Sequence, residues 1–104
     1  MKIHYSTVKL EKILTDMRLL KKYYGSDCIK ISSRLSELRA ANNLSEIPVV
    51  PPPRRHKLSG NFADCWGINY SKNDRIVIRP VGECEILDLK SIVEILIVDL
   101  GDYH

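Results

Sequence analysis

The side chains best suited to proton transfer and phosphate binding fall in three places along the chain. Asp102, Tyr103 and His104 close the strand-like run Ile92 to Leu100 and put a carboxylate, a phenol and an imidazole at one strand end. Such a set can accept a proton, donate one and hydrogen-bond a phosphate near neutral pH, where histidine titrates. His56 stands in the densest basic run of the chain, Arg54-Arg55-His56-Lys57. Arg75 opens the apolar stretch Ile76-Val77-Ile78, which Arg79 closes. A guanidinium is always charged and forks onto two oxygens, which makes Arg75 a candidate phosphate ligand.

These groups need a frame. A chain of 104 residues makes one domain with a single two-layer core. No charged segment followed by an apolar one opens it, and its longest apolar stretch is interrupted by Glu94. Neither a signal peptide nor a membrane span is expected, and the setting reads as cytoplasmic. Cys28, Cys65 and Cys84 are odd in number and lack C-x-x-C spacing, which fits reduced packing thiols better than a disulfide framework or a zinc site. Cys84 with His104 as nucleophile and base is disfavoured. The net charge of +3 hides a split: residues 1–60 hold twelve Lys/Arg against five acids, residues 61–104 four against eight. A basic half is the electrostatic footprint of a nucleic-acid partner and equally that of a solvated helix surface.

Met1 to Tyr5 alternates apolar and polar residues and predicts a short first strand. Ser6 and Thr7 offer N-caps, and Leu10, Ile13, Leu14, Met17, Leu20 and Tyr24 recur at helical spacing. One amphipathic helix over 7–24, ended by Gly25, is expected. Asp27 caps a second over 27–42, with Ile31, Leu35, Leu38 and Ala41 on one face, and the short Tyr24-Gly25-Ser26 join makes the pair antiparallel. Leu44 to Ile47 adds a turn before Pro48, Pro51, Pro52 and Pro53 fix an extended loop. Strands are expected at 56–58, 62–70 and 75–80, the last two joined by a turn at 71–74. Residues 81–90 are irregular, with a helical turn near Asp88, and the final strand covers 92–100. The class is α+β, with a short N-terminal strand and a two-helix hairpin packed on a mainly antiparallel sheet. The sheet face away from the helices is left for a ligand, and a basic, partly open face suits an RNA strand better than a small apolar molecule.

The segment His56-Lys57-Leu58-Ser59-Gly60, an arginine at the start of the second hairpin strand, and the closing Asp-Tyr-His together resemble the HigB-like killer toxins of the RelE/ParE superfamily. The resemblance covers nearly the whole chain and is specific in combination. It implies a RelE-like fold and a ribosome-dependent mRNA endonuclease, the toxin of a type II toxin–antitoxin pair. A HigA-like helix-turn-helix antitoxin, the ribosome and mRNA are the implied partners, with no cofactor. It also implies that His56, Arg75, Asp102, Tyr103 and His104 meet at one cleft, with Arg54, Arg55, Lys57 and Arg79 as RNA contacts.

The implied reaction is metal-free cleavage through the ribose 2′-hydroxyl. A base removes its proton, the oxygen attacks phosphorus, an acid protonates the departing 5′-oxygen, and cations hold the charge of the phosphorane. His104 is the choice for proton transfer, oriented by Asp102, with Arg75 on the phosphate. His56 is a second acid–base group or a phosphate contact, and Tyr103 stacks on a base or donates its hydroxyl. Strand alternation sets Tyr103 opposite Asp102 and His104, so a bend or bulge is needed for all three to share the site.

Each residue also has a plainer reading. His56 fits a solvated basic edge, Arg75 an ion pair with Asp74 or Asp64, Trp66 and Phe62 the core under the helices, and Tyr23 and Tyr24 the packing of the helix join. Relatives usually carry Lys where this chain has Ser59, and Lys57 on the same strand face is the expected substitute. Two alternatives stay open: a gyrase-inhibiting toxin of the ParE type, and a non-catalytic RNA- or antitoxin-binding remnant.

Overall fold

In the computed structural model, which describes residues 1–102 apart from the side chain of Asp102, the opening alternation does form a strand, β1 (Lys2–Tyr5). The expected single helix is two. Helix α1 (Val8–Thr15) is capped by the Thr7 hydroxyl, which accepts from the Leu10 amide, and stops at Asp16 in an extended conformation. The Asp16 carboxylate then accepts from the Arg18 amide at 2.9 Å and starts α2 (Met17–Tyr24). Asp16 thus acts as an N-cap inside the periodic run, because a short carboxylate offers the backbone a partner that competes with the helix. Gly25, at φ 57°, ends α2, as its freedom from Cβ crowding allows. Helix α3 (Cys28–Ala40) follows, burying Cys28, Ile31, Leu35 and Leu38.

The remaining strands are β2 (His56–Lys57), β3 (Trp66–Asn69), β4 (Asp74–Pro80) and β5 (Glu94–Asp102). They form one five-stranded sheet in the order β1-β5-β4-β3-β2, antiparallel except for the parallel β1–β5 pair. Turns of 3-10 helix occupy 44–46 and 89–91, where single turns were expected. The strand expected over 62–70 begins only at Trp66, since Gly60–Phe62 is a 3-10 turn.

Ile68, Ile76, Ile78, Ile95 and Ile97 point toward the helices and pack with Ile31, Leu35, Leu38 and Trp66 in the main core. The opposite face is not wholly open. Leu58, Cys65 and Val77 are buried there, with Phe62 and Val98 packed against them. Phe62 therefore lies apart from Trp66, because the turn at 60–62 breaks the alternation that would have put both on one face. The same face runs on to the end of the sheet where β4 begins. There Arg75 pairs with Asn69 on one side and Gly101 on the other.

Candidate active site

His56 and Arg75 meet over a glycine. On β2, His56 sits opposite Gly67, and Arg75 reaches forward along β4 toward the same residue, which pairs with Val77. The Arg75 Nη1 lies 3.1 Å from the His56 Nε2. A Cβ at Gly67 would stand 2.7 Å from His56 Cε1, 2.8 Å from Nε2 and 2.9 Å from Arg75 Cδ, so the absent side chain is what lets the two approach. A glycine inside a strand often marks such a close approach.

The other ring nitrogen fixes the tautomer. His56 Nδ1 is 2.7 Å from the Arg54 carbonyl oxygen, which can only accept, so Nδ1 carries the proton and Nε2 keeps its lone pair. Two guanidiniums then face that lone pair, Arg75 Nη1 and, at 3.5 Å, Arg54 Nη2. Burial, opposed by the hydrogen bond to the Arg54 carbonyl and joined by the charges of Arg54 and Arg75, holds the His56 pKa below the ordinary imidazole value of 6.5. A neutral imidazole with an in-plane lone pair between two cations can take a proton from a ligand that the cations hold.

The proline loop positions Arg54. Its amide donates to the Val50 carbonyl, that of Arg55 to Pro48, and that of Asn69 to Pro53, which ties the loop to the edge of β3. Arg54 itself is at φ 41°, a left-handed conformation uncommon outside glycine. Arg55 does not reach the site. Its Nε donates to the Ile47 carbonyl at 2.8 Å, and burial lowers its pKa.

Lys57 also stands apart, since alternation along β2 turns it away from His56. Its ammonium donates to the Ala63 carbonyl and lies 4.9 Å from the centre of the Trp66 ring, a cation–π contact on the helix side. It is therefore directed away from the His56–Arg75 pair. Arg79 shares the face of Arg75, beyond Val77, with its Nε 3.9 Å from Asp64. The neighbouring Cys65 thiol is pushed up to about 11 by burial and by the Asp64 carboxylate, so it stays protonated.

Asp102 closes β5 opposite Asp74, which brings the strand end beside the start of β4. A register shift between Val77 and Ile78 leaves Val98 as an extra residue in β5, four positions before Asp102. Tyr103 and His104 lie outside the described residues. Two contributors had not been singled out from sequence, Gly67 and Asn69. Gly67 carried a signal, a glycine between Trp66 and Ile68 in a strand. Asn69 carried none, because an asparagine before a turn reads as turn chemistry. Among the described residues no helix is long and apolar enough to cross a membrane.

Comparison with family models and with curated proteins gave no match. Among solved structures the chain is similar over its whole length to the YoeB/ParE toxin from Agrobacterium tumefaciens, all of which is covered, with a TM-score of 0.61 at 12% identity. It is similar to a chain of the YoeB-YefM complex from Staphylococcus aureus, TM-score 0.56 at 15% identity, covering all of this chain and 97% of that one. A chain of the heterotetrameric YoeB-YefM toxin–antitoxin complex from the same organism gives 0.55 at 15%, with the same coverage. These structures are named YoeB/ParE and YoeB, and the likeness does not single out HigB. At these identities it concerns the backbone, and on that ground the chain has the RelE/YoeB-like α+β fold.

Proposed function

We propose that this chain is the toxin of a type II toxin–antitoxin pair and an mRNA endonuclease that cuts on the ribosome by attack of the ribose 2′-hydroxyl. The observation that carries the reading is the His56–Arg75–Arg54 cluster over Gly67: a neutral base aimed at a point flanked by two guanidiniums. A scissile phosphate between Arg54 and Arg75 would form charge-assisted hydrogen bonds stronger than the one Arg75 makes to a neutral imidazole. Its arrival would draw Arg75 off His56 Nε2 and free that lone pair for the 2′-hydroxyl proton. The guanidiniums then hold the charge that develops on the phosphorane. His104 protonates the departing 5′-oxygen, Asp102 orients it, and Tyr103 stacks on a base or donates its hydroxyl.

The fold is shared by proteins named YoeB/ParE, so a gyrase-inhibiting toxin is the second reading. A protein that only binds gyrase has no use for a base whose lone pair is held between cations. The solved YoeB-YefM complexes suggest that a cognate antitoxin binds and restrains this chain. The closing Asp-Tyr-His motif favours a HigB-like toxin with a HigA-like helix-turn-helix partner. The site of action would be the cytoplasm, where ribosomes supply the orientation of message that a small site lacks. The test is cleavage of messages on translating ribosomes by the wild type and by His104→Ala. The wild type should leave 2′,3′-cyclic phosphate and 5′-hydroxyl ends, and the variant should cut roughly a hundredfold more slowly. Products with 5′-phosphate, or undiminished cutting by the variant, would rule the mechanism out.

A further inference from the structure

Beside the His56–Arg75 pair lies a cavity of about 430 Å³, walled by Pro51, Pro52, Arg54, Asn69, Tyr70 and Lys72. We infer that this cavity is a subsite for an unpaired nucleobase, the base of a nucleotide flanking the scissile phosphate, an inference that rests on the endonuclease reading. Asn69 is the buried polar residue of the described chain, only 7% exposed. Its backbone amide donates to Pro53, and the residue lines the cavity wall. A carboxamide on the wall of a cavity is placed to hydrogen-bond a ligand that enters it. A carboxamide presents a donor and an acceptor side by side, the pattern that pairs with the edge of a base.

The other walls fit the same occupant. Pro51 and Pro52 supply an apolar surface for the flat face of a base, and the volume is in the range of small-ligand sites. Arg54 belongs to both places, since it lines the cavity while its Nη2 stands 3.5 Å from His56 Nε2. A nucleotide whose phosphate is held by Arg54 and Arg75 would have its base within reach of Asn69, which neighbours Arg75 across β3 and β4. Lys72 adds a second cation beside Arg54, which favours a phosphate-bearing ligand over an apolar segment of a partner protein.

The test uses short 2′-O-methyl RNA, which the chain cannot cut, and its counterpart with one abasic position. Binding to the wild type should shift the Asn69 side-chain amide resonances, and the abasic counterpart should bind about tenfold more weakly. In Asn69→Leu that difference should vanish. Asn69→Asp, which keeps the size and exchanges a donor for an acceptor, should change the base profile at cleavage sites on translating ribosomes. Equal binding of intact and abasic RNA, or an unchanged profile in folded Asn69→Asp, would overturn the subsite. A wild type that cuts no message yet still discriminates intact from abasic RNA would sink the endonuclease reading and leave the subsite standing.

Discussion

Arg75 Nη1 stands 3.1 Å from His56 Nε2, and the two side chains come together above Gly67, which lies between them on β3 and contributes no Cβ. The relationship draws on three strands, β2, β3 and β4. It also sets His56 against positive charge from two sides, with Arg54 as the second cation.

Replacing Arg75 tests the phosphate role. Arg75→Ala should lower message cleavage by roughly a hundredfold to a thousandfold, the usual worth of one preorganised charge stabiliser. Growth arrest should be lost with it. The antitoxin complex and the thermal midpoint should be retained, and full toxicity at equal expression would assign Arg75 to structure.

Gly67→Ala tests the approach of the pair. The added carbon would lie under 3.0 Å from both His56 and Arg75, so the ring and the arginine chain must part. Cleavage should fall by about tenfold or more, because displacement of about 1 Å at a reacting pair can cost up to a hundredfold. The fall should be in kcat, with KM little changed. Stability should stay within about 1 kcal/mol of the parent, as measured by urea unfolding.

The depressed pKa of His56 sets a pH dependence. Burial and the two arginines disfavour the imidazolium, so the acid limb of the cleavage rate should lie below 6.5, the ordinary value. Arg54→Ala removes one opposing cation and should move that limb upward. In stability the sign is equally definite: the folded chain prefers neutral His56, so this contribution is intact above about 6.5 and is lost as the unfolded chain takes up its proton below it. His56→Gln should flatten that part of a stability-versus-pH curve.

Asp16 offers a control remote from the site. Its carboxylate caps α2 through the Arg18 amide, so Asp16→Ala should cost about 1 kcal/mol in urea unfolding and leave cleavage unchanged. A loss of activity in that variant would mean that the helix pair shapes the site.

Much of the fold was legible because periodicity and turn residues are local signals. The first strand, the buried face of α3 and the single turns near Leu44 and Asp88 all follow from them. The break at Asp16 was hidden because the apolar spacing runs straight through it, and a lone capping carboxylate does not disturb that spacing. Both members of the central pair were visible by residue type, as His56 and Arg75 were singled out, but their meeting depends on the β2–β3–β4 register. Arg54, Arg55 and Lys57 read as one basic run. Strand alternation sends Lys57 to Trp66, the loop engages Arg55 with Ile47, and only Arg54 reaches His56.

The most direct test of the central claim, that His56 and Arg75 form a message-cutting centre, is sequencing of RNA 5′ ends in cells after brief induction of the wild type and of His56→Gln. The wild type should produce new 5′-hydroxyl ends inside translated reading frames within minutes, and the variant, at equal expression, should produce almost none. Growth arrest by the wild type without new RNA ends, accompanied instead by double-strand breaks in DNA, would contradict the account and identify a gyrase poison.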